Sequence, residues 1–172
     1  MRRFCIWSLL TVASFSVDLF GQVGEKVTSV SLLNMNNQTV RLPFLGEKNL
    51  LIFYVDPGRP RQNKSFRDYF KTHPIDSPEI DSYGIINLAA ASLIPNSLIR
   101  KMAIKEVKGT SGRIYFDLDE VLYNAWKLKG ADNNFAVIFV NKNQVIEFYK
   151  AGELTLEEQQ QVLALIKKYK KE

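Results

Sequence analysis

The chain alternates between short runs that are apolar throughout and longer stretches whose apolar residues recur every three or four positions. The first kind reads as strands covered on both faces, the second as helices with one covered side. The sharpest change falls between residues 49 and 70. Leu50-Leu51-Ile52-Phe53-Tyr54-Val55 is apolar on both alternating faces, and Asp56-Pro57-Gly58-Arg59-Pro60-Arg61 breaks it. Residues 61–71 then put Phe66, Tyr69 and Phe70 on one side of a helix, with Lys64, Arg67, Asp68 and Lys71 largely on the other. His73-Pro74 ends that helix, because the residue before a proline avoids the helical region.

The same reading extends along the chain in both directions. Val27–Leu33 and Val40–Leu42 alternate around Asn36-Asn37, a pair that tolerates the positive φ of a hairpin turn. Asp76–Asp81, with Pro78, reads as a solvated acidic loop. Residues 83–92 predict a second buried strand. Pro95-Asn96 opens a helix capped by Asn96, with Leu98, Ile99, Met102 and Ala103 at helical intervals. A turn at 109–112 leads to a short strand at 113–116, and Asp117-Leu118-Asp119-Glu120 has the form of a capping box before Val121, Leu122, Ala125 and Trp126. After a polar loop, Phe135–Val140 is a third apolar strand, Asn141–Asn143 a turn and Val145–Tyr149 the returning strand. Thr155-Leu156-Glu157-Glu158 is a second capping box, opening a last helix with Leu156, Val162, Leu163, Leu165 and Ile166 as its apolar face. Hairpin, strand, helix, strand, helix, strand, helix, hairpin, helix predicts an α/β domain: a mixed central sheet with helices on both faces and an N-terminal β-hairpin. No repeat or linker divides it.

Composition fits this picture. A chain of 172 residues, 46% hydrophobic and 24% charged, can bury one core without disulfides or metals. The net charge of +5 comes from interleaved signs, so no nucleic-acid partner is expected. Arg2 and Arg3 precede an apolar stretch, Phe4–Val17, too short for a comfortable membrane span. Residues 1–21 are therefore expected to be an export signal and 22–172 the domain, placed in the periplasm of a Gram-negative-type bacterium. A retained anchor is the alternative, and membrane contact is expected only through this segment. Cys5 is the sole cysteine and lies inside it. The cleaved chain would then hold no thiol for a disulfide, for redox chemistry or for a thiolate-bound metal.

The candidate chemistry gathers where the central strand meets its helix. Free backbone N–H groups and the helix dipole favour anions there, and arginine suits bidentate contact with carboxylate or phosphate. Asp56, Arg59 and Arg61 are the candidate ligand-binding residues, with Lys64 one turn into the helix and Asn133 and Asn134 close by. The competing reading leaves both arginines solvated, with Asp56 pairing one of them. His73 is the single histidine, and Asp76, Glu79 and Asp81 lack the spacing of a calcium loop, so no metal or cofactor is expected. No serine or threonine has a histidine partner at a recognisable spacing for a hydrolase triad. Asp117 and Asp119 read as caps, Tyr123 and Trp126 as core or rim. Lys167, Lys168, Lys170 and Lys171 read as a solvated helix end. Asn37-Gln38-Thr39 and Asn63-Lys64-Ser65 match the glycosylation acceptor pattern and read as chance.

The element order from Val23 onward resembles the thioredoxin-like fold, in its version with an N-terminal hairpin and an inserted β-α unit. The last third is more specific. Asp117, Asn124-Ala125-Trp126-Lys127-Leu128-Lys129, Ala136–Asn143 and Lys150-Ala151-Gly152-Glu153-Leu154-Thr155-Leu156-Glu157-Glu158 are similar to the YtfJ family of exported bacterial thioredoxin-like proteins. The resemblance implies fold and compartment. It does not carry over an activity. Working thioredoxins place Cys-x-x-Cys after the central strand and a cis-proline before the third apolar strand. Here Gly58-Arg59-Pro60-Arg61 and Asp132-Asn133-Asn134 stand at those places. Thiol–disulfide exchange is therefore not expected. The expectation is a non-catalytic domain that binds an envelope protein segment or a small anion. The alternatives are a non-thiol enzyme using the Asp56–Arg61 loop on a phosphate or carboxylate substrate, and a structural subunit of an envelope assembly.

Overall fold

The computed structural model describes residues 22–91 and 93–170, so the expected leader at 1–21 lies outside the described residues. Its elements are β1 (Ser31–Leu33), β2 (Thr39–Arg41), β3 (Asn49–Val55), α1 (Lys64–Thr72), β4 (Ile80–Asn87), α2 (Asn96–Val107), β5 (Ile114–Asp117), α3 (Val121–Ala125), β6 (Ala136–Val140), β7 (Ile146–Ala151) and α4 (Leu156–Tyr169). The seven strands form one mixed sheet in the order β2-β1-β5-β4-β3-β6-β7. β3, β4 and β5 run parallel, while β6 and β1 flank them antiparallel.

Period-two alternation divides the core into two layers. In β3, Leu51 and Val55 join Phe66 of α1, Ile99 of α2 and Val162 and Ile166 of α4. Leu50, Ile52 and Tyr54 point the other way, to Leu122 and Trp126 around α3 and to Val27 and Leu42. β6 divides likewise, Val137 and Phe139 against Ala136, Ile138 and Val140. A strand covered on both sides must be apolar at every position, which explains why its sequence shows no alternation. Each fully buried aliphatic side chain contributes roughly 1.5–3 kcal/mol of transfer free energy.

Hairpins, helices and the Thr155 capping box form as the sequence predicts. Asn37 has φ 64° in the β1–β2 turn, and Thr155 and Glu158 exchange both capping hydrogen bonds. Four local expectations are corrected. α1 starts at Lys64 rather than Arg61, because residues 57–62 are turns and Asn63 is left-handed at φ 53°. β4 covers Ile80–Asn87 instead of 83–92: Asn87 Oδ1 accepts from the N–H groups of Ala89 and Ala90, which turns the chain into a short 3-10 helix, Ala89–Ala91. Asp81 thereby leaves the expected solvated loop and is buried beside Arg113 and Lys48. Asn96 does not cap α2; Pro95 holds the cap position with no side-chain bond. Asp117-to-Glu120 is not a reciprocal box either. Asp117 alone receives the N–H groups of Val121 (2.8 Å) and Leu122 (3.0 Å), while left-handed Glu120 accepts from Asn87.

Candidate functional site

Because β3, β4 and β5 are parallel, their carboxyl ends open on one edge of the sheet. In open α/β sheets that edge is where ligands bind. The loop after β3 carries Asp56, Arg59 and Arg61, and the loop before β6 carries Asn133 and Asn134. β3 and β6 are paired neighbours, Tyr54 opposite Ala136, so the two loops meet.

The contact between them is made by the side chains of Arg59 and Gln62. The Arg59 side chain donates through Nε to the Asn133 carbonyl at 3.2 Å. Gln62 bridges more firmly. Its Oε1 accepts from the Phe135 N–H at 2.7 Å, and its Nε2 donates to Asn134 Oδ1 at 3.2 Å. Asn63, next in the chain and 1% exposed, is bound to the turn after β7. Its side chain donates to the Gly152 carbonyl and accepts from the Leu154 N–H, and its own N–H donates to Glu153 Oε2. With its amide nitrogen committed and buried, Asn63 is no sugar acceptor. Gln62 and Asn63 were not among the predicted site residues; both fall at the start of the 61–71 stretch read as a helix.

The predicted residues divide. Arg59, Asn133 and Asn134 come together. Asp56 is 3% exposed, and its Oδ1 accepts from the Gly58 N–H at 2.6 Å, folding the loop into an Asx turn. It pairs with neither arginine among the described residues. Arg61 is exposed, and its guanidinium has no hydrogen-bond or ion-pair partner among the described residues. Lys64 does not join the set. It pairs with Asp68 one turn on, and Lys71 approaches the same carboxylate at 2.7 Å. Hydrogen bonds from Lys64 and Lys71 hold the Asp68 carboxyl at about 2.

A second polar group lies behind this edge. Tyr54, at the end of β3, donates its hydroxyl to Asp117 Oδ2 at 3.1 Å inside the α3-side core. Burial pushes the Asp117 carboxyl up, against the pull of the Val121 and Leu122 N–H groups and the Tyr54 hydroxyl. Burial, and then the Asp117 charge, push the Tyr54 phenol far above its ordinary value. Both side chains are fully buried, so their arrangement fastens α3 to the sheet and meets no substrate. Trp126 is likewise core, donating through Nε1 to the Thr28 carbonyl at 2.8 Å. The peptide bonds of the described residues are all trans, those of the 132–135 loop included.

The geometry is that of the thioredoxin-like fold. A peroxiredoxin-like protein from Aquifex aeolicus matches with a TM-score of 0.61 at 11% identity, over 86% of each chain. The pneumococcal exposed lipoprotein thioredoxin of Streptococcus pneumoniae matches at 0.60 and 10% identity, over 82% of this chain and 99% of that one. The thioredoxin domain of a thiol-disulfide oxidoreductase from Bacteroides vulgatus matches at 0.57 and 15% identity, over 83% and 96%. At these identities the likeness is one of fold. No protein-family model matches the chain, and no curated protein does either.

Proposed function

We propose that this chain is an exported binding domain of the YtfJ type: a thioredoxin-like fold without thiol chemistry that recognises an anionic ligand at the mouth formed by the 56–62 and 133–135 loops. The observation that carries the reading is the pair Arg59 and Arg61. Both are exposed beyond the carboxyl end of β3. Arg59 is oriented by the Asn133 carbonyl, and Arg61 is free of any partner among the described residues. A guanidinium left unpaired at a ligand-binding edge suits a carboxylate or phosphate, whether on a small molecule or on a protein segment. Binding is preferred over turnover because the base the enzyme alternative invokes, Asp56, is buried with one oxygen engaged by Gly58. Cys5, the only cysteine of the chain, falls within residues 1–21.

The test is a thermal-shift titration of the chain with inorganic phosphate, succinate and an acidic peptide, in parallel with Arg59→Ala/Arg61→Ala. A ligand at a hundred times its Kd adds about 2.7 kcal/mol, enough to move the melting temperature. The expected outcome is a shift that the double substitution removes. A shift that survives it would put the ligand elsewhere. If all three probes are silent, the same pair of proteins is used as bait on an envelope extract, and a set of captured proteins unchanged by the substitution would end the reading.

A further inference from the structure

A cleft of about 730 Å³ runs along β4 on the helical face of the sheet, between the C-terminal halves of α1 and α2. Its origin is legible in β4. The residues of that strand facing α1 and α2 are Ile80, Ser82, Gly84 and Ile86, and the middle two are too small to reach a helix. Ser82 and Gly84 are partly exposed although β4 lies inside a seven-stranded sheet. The helices above are seated at a single buried residue each, Phe66 in α1 and Ile99 in α2. They leave an apolar floor that includes Phe53 and Ile114, with Phe70 of α1 on the wall.

The walls are charged, and the signs do not balance. Lys48, Arg67, Lys71 and Arg113 line the cleft against Asp81 and Glu106, and Lys71 also shares Asp68 with Lys64, which leaves five cations to three carboxylates. Asp81 is taken by Lys48 and Arg113. On the helical side, Arg67 reaches Glu106 only at 3.6 Å, and that carboxylate is 54% exposed. Arg67 gives one terminal nitrogen to the Pro60 carbonyl at 2.8 Å, but its Nε–H is buried with no acceptor among the described residues. That Nε–H is closed to a ligand, but the terminal Nη1 has only the 3.6 Å approach to a half-exposed carboxylate, and a bound carboxylate could take it. The volume falls within the roughly 300–1,000 Å³ of small-molecule sites.

The geometry points to a second binding site in this cleft for a small amphiphilic carboxylate, its apolar body over Ser82 and Gly84 and its carboxylate at the terminal nitrogen of Arg67. The site uses neither Arg59 nor Arg61, although Arg67 also holds the Pro60 carbonyl of the loop that carries them. The floor explains the apolar body, the weakly engaged Nη1 of Arg67 explains the acceptor head, and the excess of cations sets its sign.

Octanoate, 1-octanol and octyltrimethylammonium, with one tail and three heads, serve as probes of the ¹⁵N-labelled full chain. Octanoate is expected to move the amide signals of Ser82, Gly84 and Gly112 saturably, at least tenfold tighter than 1-octanol, with the cation not binding. Arg67→Gln should bring octanoate down to the level of the alcohol. Gly84→Val should abolish both while the chain still unfolds cooperatively: a Cβ at Gly84 meets Ile114 at 3.4 Å, ordinary contact, and its φ is open to any residue. Ser82→Leu fills the same space if Gly84→Val does not fold, and the Arg67→Gln comparison decides if neither does. The proposal is overturned if octanoate produces no saturable shifts, if the three heads bind alike, if the filled variants bind as the parent does, or if the shifts centre on Gly58 and Asn133.

Discussion

At the scale of single residues, a polar side chain in this protein is defined by where its neighbours come from. Asp117 looks like a cap in the sequence, and it is one, but it is also buried beneath Tyr54, a residue from a strand 63 positions away. The consequence is a pH-dependent stability. Burial raises the folded-state carboxyl, so its contribution is fully present below the unfolded pKa and lost as pH rises through the folded value. Tyr54→Phe removes a donor that helps the charged form, moving that loss to higher pH and enlarging it at neutrality. Urea unfolding should find Tyr54→Phe about 1–3 kcal/mol less stable than the parent near pH 7. The difference should narrow clearly near pH 3.5, where the carboxyl is protonated in both chains. A deficit equal at the two pH values would mean that the hydroxyl serves packing alone. Lys64 carries the opposite lesson: its charge and position made it a site candidate, and the carboxylate of Asp68, one turn along the same helix, claims it.

Among elements, the decisive contact is the Gln62 bridge between the end of the β3–α1 loop and the start of β6. It supplies the acceptor for the Phe135 N–H, at the place where the resemblance led one to look for a cis-proline. Gln62→Ala should cost about 1–3 kcal/mol, since the Phe135 N–H would be left without its partner. Amide hydrogen exchange at Phe135 should quicken more than exchange at Ile138, in the middle of the same strand. Uniform acceleration along β6 would show global destabilisation and dispose of the bridge as a local clamp. The helix starts divide by the same logic. Thr155 and Glu158 form their box because both partners are three residues apart and the signal is local. Asn96 fails as a cap because it is already the first residue of α2, after Pro95, and the reciprocal Asp117–Glu120 box fails because Glu120 is held by Asn87 across 33 positions.

For the molecule as a whole, both edges and the start of the domain matter. Gln22 is buried, its amide donates to the Lys127 carbonyl, and the Gly24 N–H donates to the Ile146 carbonyl at 2.8 Å. A chain begun at Gln22 should therefore unfold in urea in one cooperative transition. One begun at Ser31 should have a lower midpoint, because the bond from Gly24 and the bridge between Lys26 and Val145 are lost. Equal midpoints would mean that 22–30 is not part of the domain. The sequence by itself determined the strands, the helices, their order and hence the fold class, because each is encoded by the period of its own apolar residues and by local turn chemistry. It also determined that thiol chemistry has no cysteine beyond Cys5 to use. Tertiary structure alone decided which charges are free. Arg61 has no partner among the described residues, Lys64 is spoken for, Asp81 is buried and Gln62 bridges two loops. It also decided that Ser82 and Gly84 lie under a gap between two helices. The Lys64–Asp68 pair is local, but the burial of Asp81 and the Gln62 bridge depend on contacts 32 and 73 residues apart along the chain, and no local pattern records those.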